Sequence, residues 1–496
     1  MKKILIKGRL FVCCHLMTDS IKIILILTCI VLTFSCSNKK TANNNLADNI
    51  DKYIQAKVDF YNFSGAVLVA KNDTIILQKA YGLADREWNV PNSVDTKFRI
   101  GSNTKQFTAV CILQLEEEGK LNLNDKLSKY FKGFEYGDTV TIHMLLTHSS
   151  GIQDYFGFKG FDFKPIVISK DSMVSLLKTK LFNFLPGCDI DYSNSNYYLL
   201  ALIVEKVSGE SYEHYLSRHI FNFVGMQNSG VDRFDKVLFH RAKGYIVSQN
   251  KVDNAFDNNY MWDLMLGCGC IYSSLEDMYK FKKAFEGNLI LKEASRNKMF
   301  TQYGYSIARK KKQTDPSNTT PGSIDPFWCR LGYGVSVDTL LDHKRIFTRG
   351  YVPGFKSTIY NFYDDKTCII VLENNEENPD GIAYPLSEIV FGRDIPLPYK
   401  HQPYKINPEI EKTYTGKWTG NIYNEKSNVE IVINENKFYR RVDGNPDIEL
   451  IPESPTKFYY ADGSDRQFEF VPNIKGEVTR GWYIMNGVKF RRDRIK

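Results

Sequence analysis

The sequence of 496 residues predicts an α+β protein with a second, smaller β domain at its C-terminus. Runs of β-branched residues occur around residues 64–82 and again in residues 332–372, while helical spacing fills the region between them. From residue 410 onward, short alternating runs are separated by Asn, Gly, Asp and Pro turns, a texture typical of antiparallel β structure. Strands from distant parts of the chain must therefore meet in one sheet beside a helical lobe, and a cleft between them is the expected place for a site.

The elements follow in order along the chain. Residues 46–60 have the spacing of an amphipathic helix, and residues 64–70 and 74–82 predict a hairpin across a short polar turn. Further helices are predicted at residues 104–118, 172–179, 196–207, 212–222 and 274–285. Further strands are predicted at residues 332–336, 345–348, 356–362 and 367–372.

The charge of the chain excludes one broad class of function. The formal net charge is +8, but residues 1–35 contribute +4 of it, so the rest of the chain is only mildly basic. Such a balance does not favour nucleic acid as a partner. Beyond that N-terminal region, the cysteines show no spacing typical of a metal site, and we expect no metal and no organic cofactor.

The N-terminus predicts export. A basic start precedes an apolar stretch at residues 21–34, and Ser35-Cys36 is followed by a polar, Asn-rich segment. This layout resembles a bacterial lipoprotein signal peptide over residues 1–36, with Cys36 as the lipid-attachment residue. The alternative is an ordinary signal peptide that happens to contain Cys36. In either case we expect the protein in the cell envelope, and in the first case anchored by lipid to a membrane facing the periplasm or cell surface.

Ser102 and Lys105 are the first candidate catalytic pair. They stand three apart at the start of an almost entirely apolar helix, so the amine can reach the hydroxyl. The helix N-terminus favours developing negative charge, and burial favours the neutral amine that a base must be. Because Ser-x-x-Lys occurs six times in the chain, the motif alone is weak, and only its context separates Ser102 from the others.

Tyr192-Ser193-Asn194 is the second candidate element. It lies between Pro186-Gly187 and a strong helical pattern, a place from which a phenol and an amide can project to one side. A phenol can transfer protons and an amide can hold a substrate by hydrogen bonds.

These segments together resemble the serine β-lactamase and penicillin-binding protein superfamily, and its class C branch in particular. The resemblance covers Phe98 to Ala109, Glu118 to Asp125, Thr141 to Ile152, Leu185 to Asn194 and Val224 to Ser229, in the family's order. It implies a β-lactamase/transpeptidase-like antiparallel sheet with a helical lobe over residues 48–395. Residues 410–496 look like the small antiparallel β domain often appended to such proteins.

The resemblance also implies roles. Ser102 corresponds to the acylated nucleophile, Lys105 to the amine that helps deprotonate it, Tyr192 to the phenol, as phenolate or proton shuttle, and Asn194 to the substrate-binding amide. The third motif, normally Lys or His, a small hydroxyl residue and Gly, is replaced here by Thr348-Arg349-Gly350. Thr348 stands in the cation's place, and Arg349, on the opposite face of a strand, is not automatically its substitute, although it could clamp a substrate carboxylate.

The predicted function is that of an exported serine hydrolase acting through an acyl-enzyme on D-amino-acid-containing peptides, β-lactams or small esters. If Arg349 cannot replace the cation, penicillin turnover should be poor and a peptide or ester substrate is favoured. The alternative from another class is a catalytically impaired lipoprotein that binds penicillin or senses cell-wall fragments.

Overall fold

The computed structural model describes residues 45–158, 168–233, 235–248, 251–255, 264–303, 330–376, 378–407, 413–422 and 425–495. The chain divides into two compact units, residues 1–51 and residues 52–496. Of the first unit the structure describes only residues 45–51, the beginning of a helix. The predicted signal peptide and Cys36 lie outside the described residues. None of the helices in the described part of the chain has the length and apolar character that a membrane crossing requires.

Helices occupy mainly the middle of the chain. They are α1 (45–61), α2 (Thr104–Glu117), α3 (Leu127–Tyr130), α4 (Ile142–Leu146), α5 (Lys170–Lys178), α6 (Asn194–Ser208), α7 (Tyr212–Leu216), α8 (Asn222–Val224), α9 (Leu275–Glu286), α10 (Glu293–Met299) and α11 (Asp380–Val390). Short 3-10 turns at Gly101–Asn103 and Tyr155–Gly157 and a π turn at Ser217–Phe221 complete them.

Strands lie on both sides of this helical region and also within it. The strands up to residue 273 are β1 (Gly65–Lys71), β2 (Thr74–Tyr81), β3 (Leu83–Asp85), β4 (Val90–Pro91), β5 (Phe98–Arg99), β6 (Gly230–Val231), β7 (Tyr245–Ser248), β8 (Lys251–Asn254) and β9 (Ile271–Ser273). Those that follow are β10 (Ser336–Leu340), β11 (His343–Val352), β12 (Phe355–Phe362), β13 (Thr367–Glu373), β14 (Gly416–Ile422), β15 (Glu425–Asn434), β16 (Lys437–Arg441), β17 (Ile448–Pro452), β18 (Lys457–Tyr460), β19 (Gln467–Pro472), β20 (Val478–Met485) and β21 (Val488–Arg494).

The main sheet joins the two distant sets of strands, as predicted. Its order is β10-β11-β12-β13-β1-β2, and the central pair β1–β13 is antiparallel with Gly65 opposite Glu373. Strands β1 and β13 are buried almost throughout, because helices cover the sheet and both faces therefore exclude water. Helix α2 is buried along most of its length and packs against α6, so it forms the centre of the helical lobe.

One predicted strand is wrong. Residues 332–335 are not in a strand, since 333–335 form a bend, and β10 begins only at Ser336. Gly334 has a φ of 67°, and a Cβ there would lie 2.5 Å from the carbonyl oxygen of Lys105. The segment therefore packs as a turn against the start of α2, and this close approach replaces pairing in the sheet.

The C-terminal strands β14–β21 form a closed antiparallel barrel in sequence order, with β14 pairing to β21. Closure removes the exposed edges that an open sheet of these strands would have. Its interior is aromatic, including the fully buried Trp418 and Phe458. The α+β fold with a small C-terminal β domain is thereby confirmed.

Side chains of α1 connect the barrel to the rest of the molecule. Lys57 forms a buried ion pair with Asp465, and its Nζ also lies 2.9 Å from Asn486 Oδ1. The hydroxyl of Tyr53 donates to the carbonyl oxygen of Asn486 at 3.1 Å. These contacts hold the turn between β20 and β21 against the first helix.

Candidate active site

Ser102 lies in the 3-10 turn directly before α2. Gly101 takes a φ of 50°, a left-handed conformation that glycine adopts without strain. The neighbouring Asn103 donates from Nδ2 to Ser357 Oγ at 2.6 Å, and Ser357 Oγ donates in turn to the carbonyl oxygen of Ile100 at 2.9 Å. Strand β12 therefore holds the turn on both sides of Ser102.

Lys105 lies one helical turn further on and is almost fully buried. Its Nζ lies 3.0 Å from Ser102 Oγ, 2.8 Å from Asn194 Oδ1 and 2.9 Å from the carbonyl oxygen of Cys268. Burial lowers the pKa of Lys105 from 10.5 to about 8, although the negative groups nearby, Asp154 among them, oppose the shift. A substantial fraction of this amine is therefore neutral near physiological pH and can accept the proton of Ser102.

Tyr192 is the second side chain that contacts Ser102. Its hydroxyl donates to Ser102 Oγ at 2.8 Å, and the Nζ of Lys105 lies 4.6 Å from the centre of its ring. Burial raises the pKa of Tyr192 above its ordinary value of 10, so the resting side chain is a phenol. Of the two groups beside Ser102, the amine is the resting base, and the phenol is the proton donor.

The orientation of Asn194 is set by a carboxylate that the sequence analysis missed. Asn194 Nδ2 donates to Asp154 Oδ2 at 2.9 Å, so its Oδ1 faces the amine of Lys105. An ionised carboxylate can accept hydrogen bonds but cannot donate them, so it contacts the NH₂ end of the amide. Burial raises the pKa of Asp154, while its hydrogen bonds from Asn194 and the amide of Phe156 oppose that shift.

His148 is a second residue that the sequence analysis did not single out. It takes a φ of 58°, and its ring stacks on that of Tyr192 with 4.5 Å between centroids. The backbone N–H of Ser193 donates to His148 Nδ1 at 3.1 Å. Burial, assisted by the charge of Lys105, holds the pKa of His148 well below 6.5. A neutral imidazole therefore supports the phenol without adding a charge to the site.

A backbone amide of β11 faces the turn that contains Ser102. The hairpin β11–β12 closes with a two-residue turn between Val352 and Phe355. Hydrogen-bonded and non-hydrogen-bonded pairs alternate along an antiparallel ladder, and Tyr351, one position before Val352, belongs to a non-hydrogen-bonded pair. Its N–H therefore points away from β12, and a Cβ on Gly101 would lie only 2.6 Å from this nitrogen. This N–H and that of Ser102 are the candidate donors for an oxyanion, because an oxyanion is stabilised by backbone N–H groups aimed at it.

The third motif lies on β11. A Cβ on Gly350 would lie 1.8 Å from the carbonyl oxygen of Ile100, so only glycine allows the strand to approach the turn that closely. Thr348 is buried, and among the residues that the structure describes its Oγ1 has no hydrogen-bond partner. The guanidinium of Arg349 is bound by Asp380, with Nε 2.5 Å from Oδ2. The structure thus shows Arg349 engaged in an ion pair through its Nε.

These groups surround a pocket with about 310 Å³ of empty space. Its lining includes Ser102, Lys105, Tyr192, His148, Thr348 and Arg349. The structure therefore brings together the predicted Ser102, Lys105, Tyr192 and Asn194 from separate parts of the chain. It adds His148, Asp154 and the carbonyl of Cys268; the first two lie in or beside the Thr141–Ile152 segment already noted in the sequence. Within the described ranges, no cluster of His, Cys, Asp or Glu could hold a metal ion.

Ser102, in contact with a lysine amine and a tyrosine hydroxyl beside an antiparallel sheet, defines a class of serine hydrolases. The Beta-lactamase family profile matches residues 50–387, and the chain belongs to this family of β-lactamases and penicillin-binding proteins. The class C branch stays a prediction.

Three similar proteins extend the comparison. The Bacillus subtilis (strain 168) protein that carries the name penicillin-binding protein PbpX is 32% identical over 341 residues, 68% of this chain and 76% of its own. Penicillin-binding protein 4* of the same strain is 28% identical over 80% of this chain and 88% of its own. The solved structure of the octameric penicillin-binding protein homologue from Pyrococcus abyssi superposes with a TM-score of 0.61 at 25% identity, covering 89% of this chain and 98% of its own.

Proposed function

We propose that the protein forms an acyl-enzyme at Ser102 and hydrolyses D-amino-acid-containing peptides, β-lactams or small esters. The observation that supports this most directly is the position of Ser102 Oγ, 3.0 Å from the amine of Lys105 and 2.8 Å from the hydroxyl of Tyr192. Both groups are buried beside a pocket, and one of them is a partly neutral amine at neutral pH.

In the proposed acylation, Lys105 takes the proton of Ser102 as Oγ forms a bond to the substrate carbonyl carbon. The N–H groups of Ser102 and Tyr351 stabilise the oxyanion, and Tyr192 donates its proton to the leaving group as the scissile bond breaks. This leaves an ammonium ion on Lys105 and a phenolate on Tyr192, two opposite charges on groups that both contact Ser102 Oγ.

Deacylation reverses these proton movements. The phenolate of Tyr192 removes a proton from water, which attacks the ester carbonyl, and the ammonium of Lys105 returns a proton to Ser102 Oγ as the acyl group leaves. Over the two steps one water is consumed, both products carry the correct protons, and the enzyme regains its starting state. Asn194, held by Asp154, keeps the amine aligned and presents its remaining N–H to the acyl side of the substrate.

Covalent labelling tests this proposal. A fluorophosphonate or a fluorescent penicillin should label the protein, and the mass spectrum should place the adduct on the peptide that contains Ser102. Ser102→Ala should abolish labelling. Ser175→Ala is the matched control, because Ser175 belongs to another Ser-x-x-Lys motif on the exposed face of α5. Labelling that survives Ser102→Ala would refute the assignment.

A second candidate function is supported by the neutral Thr348 in place of a cation and by the appended barrel. In that case the protein binds penicillin or cell-wall fragments, acylates once and turns over slowly. Stoichiometric labelling by penicillin without release of hydrolysed product supports it, whereas rapid turnover of any D-alanyl ester or chromogenic β-lactam excludes it.

We further propose that the protein is exported and anchored by a lipid on Cys36, on the basis of its N-terminal sequence. Metabolic labelling with a radioactive fatty acid tests this: wild type should be labelled and Cys36→Ala should not.

A further inference from the structure

The charges that line the pocket indicate which substrates the proposed hydrolase accepts. Among the described residues that line it, only Lys105 and Arg349 carry positive charge, since His148 is held neutral. Lys105 Nζ is already engaged by three oxygens, those of Ser102, Asn194 and Cys268. Lys105 must also lose its charge to act as a base, so it cannot serve as the fixed partner of a substrate carboxylate.

The charge of Arg349 is compensated by a fixed network. Asp380, the first residue of α11, binds its Nε through Oδ2, while Oδ1 accepts hydrogen bonds from Thr358 Oγ1 at 2.9 Å and Tyr360 OH at 2.7 Å. Thr358 and Tyr360 stand on β12, the neighbour of β11, so this carboxylate is held from three sides. Drawing the guanidinium into the pocket would leave Asp380 partly buried without its counter-ion, which is costly.

The pocket is completed on β11 by a neutral hydroxyl. Thr348 is only 5% exposed, and no residue in the described part of the chain forms a hydrogen bond with its Oγ1. A buried polar atom without a partner costs free energy, and a ligand that supplies the missing hydrogen bond recovers it. The hydroxyl can either donate or accept, so it suits a carboxamide or an ester group, whereas a carboxylate here would lose its hydration without gaining a cation.

From these contacts we infer that the pocket selects substrates that are uncharged beside the scissile bond, such as amides, esters or peptides with a blocked end, and that Thr348 determines this selectivity. Because Ser102 and Thr348 line the same pocket, the selected group lies close to the reacting carbonyl. This inference rests on the proposed function, since it names the substrate class of the same site.

Two matched esters test it: the phenylacetyl esters of 3-hydroxybenzamide and of 3-hydroxybenzoic acid, which differ only in replacing a carboxamide with a carboxylate. With the full-length wild type at low ionic strength, kcat/KM for the carboxamide ester should exceed that for the carboxylate ester by about tenfold or more. Thr348→Lys should abolish the preference by raising kcat/KM for the carboxylate ester about tenfold, an effect that salt weakens.

Thr339→Lys is the matched control. Thr339 is exposed on the neighbouring strand β10, so this substitution adds the same positive charge outside the pocket. Its selectivity should equal that of the wild type. Thr348→Val keeps the shape and removes only the hydroxyl, so it remains informative if a buried lysine prevents folding. It should lower kcat/KM for the carboxamide ester by about two- to tenfold and leave the carboxylate ester unchanged.

The outcomes separate the two proposals. Hydrolysis that depends on Ser102 but shows equal rates for the two esters, or a preference for the carboxylate ester, overturns the inference and leaves the proposed function standing. Absence of Ser102-dependent hydrolysis with both esters removes the proposed function, and the inference with it.

Discussion

The amine of Lys105 should set the pH dependence of acylation. Its pKa of about 8, against 10.5 for an ordinary lysine, makes about one-tenth of the side chains neutral at pH 7, compared with about 0.03% for an unperturbed amine. Burial thus increases the population of the base by about 300-fold at neutral pH. The second-order rate of fluorophosphonate labelling should therefore rise about tenfold per pH unit below pH 8 and level off above it.

The perturbation is Lys105→Met, which keeps a long apolar stem in the buried space and removes the amine. The labelling rate should fall by about 100-fold or more at pH 8, and the increase in rate up to pH 8 should disappear. Lys298→Met is the control, because Lys298 belongs to the Ser295/Lys298 repeat of the motif on α10 and should leave the profile unchanged. The assay is the labelling rate between pH 6 and 10. The reasoning would be refuted if the labelling rate of the wild type did not change with pH, or if the increase up to pH 8 persisted in Lys105→Met.

The pH dependence of the free energy of unfolding reports the pKa of Lys105 independently of any reaction. In the folded protein Lys105 releases its proton near pH 8, whereas in the unfolded chain it does so near 10.5, so the unfolded state binds more protons between these values. The free energy of unfolding of the wild type, relative to Lys105→Met, should therefore rise by about 3 kcal/mol from pH 8 to pH 10.5. Urea unfolding at several pH values measures this difference, and a difference that is constant with pH would contradict it.

Two further predictions follow from neighbouring contacts. Asp154→Ala should lower kcat/KM by about 10- to 100-fold without changing the labelling stoichiometry, because Asn194 loses the acceptor that orients it. Asp154→Asn should recover part of that loss, and steady-state kinetics that match the wild type would contradict this prediction. Gly350→Ala should lower the free energy of unfolding by about 2 kcal/mol or more, because the added Cβ would overlap the carbonyl oxygen of Ile100. Gly157→Ala is the control, since a Cβ there meets open space, and it should change the free energy of unfolding by less than about 0.5 kcal/mol. Urea titrations measure both values.

The sequence alone determined the local parts of this protein. The hairpin of β1 and β2, the apolar helix α2 and the spacing of Ser102 and Lys105 all depend on residues close together in the chain. Period and spacing express such short-range geometry directly. Helix α11 was not predicted, and it contains Pro385 in its interior, a residue that removes a backbone donor and obscures the helical pattern.

The tertiary structure alone decided the long-range contacts. The carbonyl of Cys268 on Lys105, the carboxylate of Asp154 on Asn194 and the carboxylate of Asp380 on Arg349 each join residues that are 31 to 163 positions apart. No local pattern encodes such a distance, because it depends on how the sheet and the helical lobe pack around one another. The pKa of Lys105 and the compensated charge of Arg349 have the same origin, since burial and a distant partner set both.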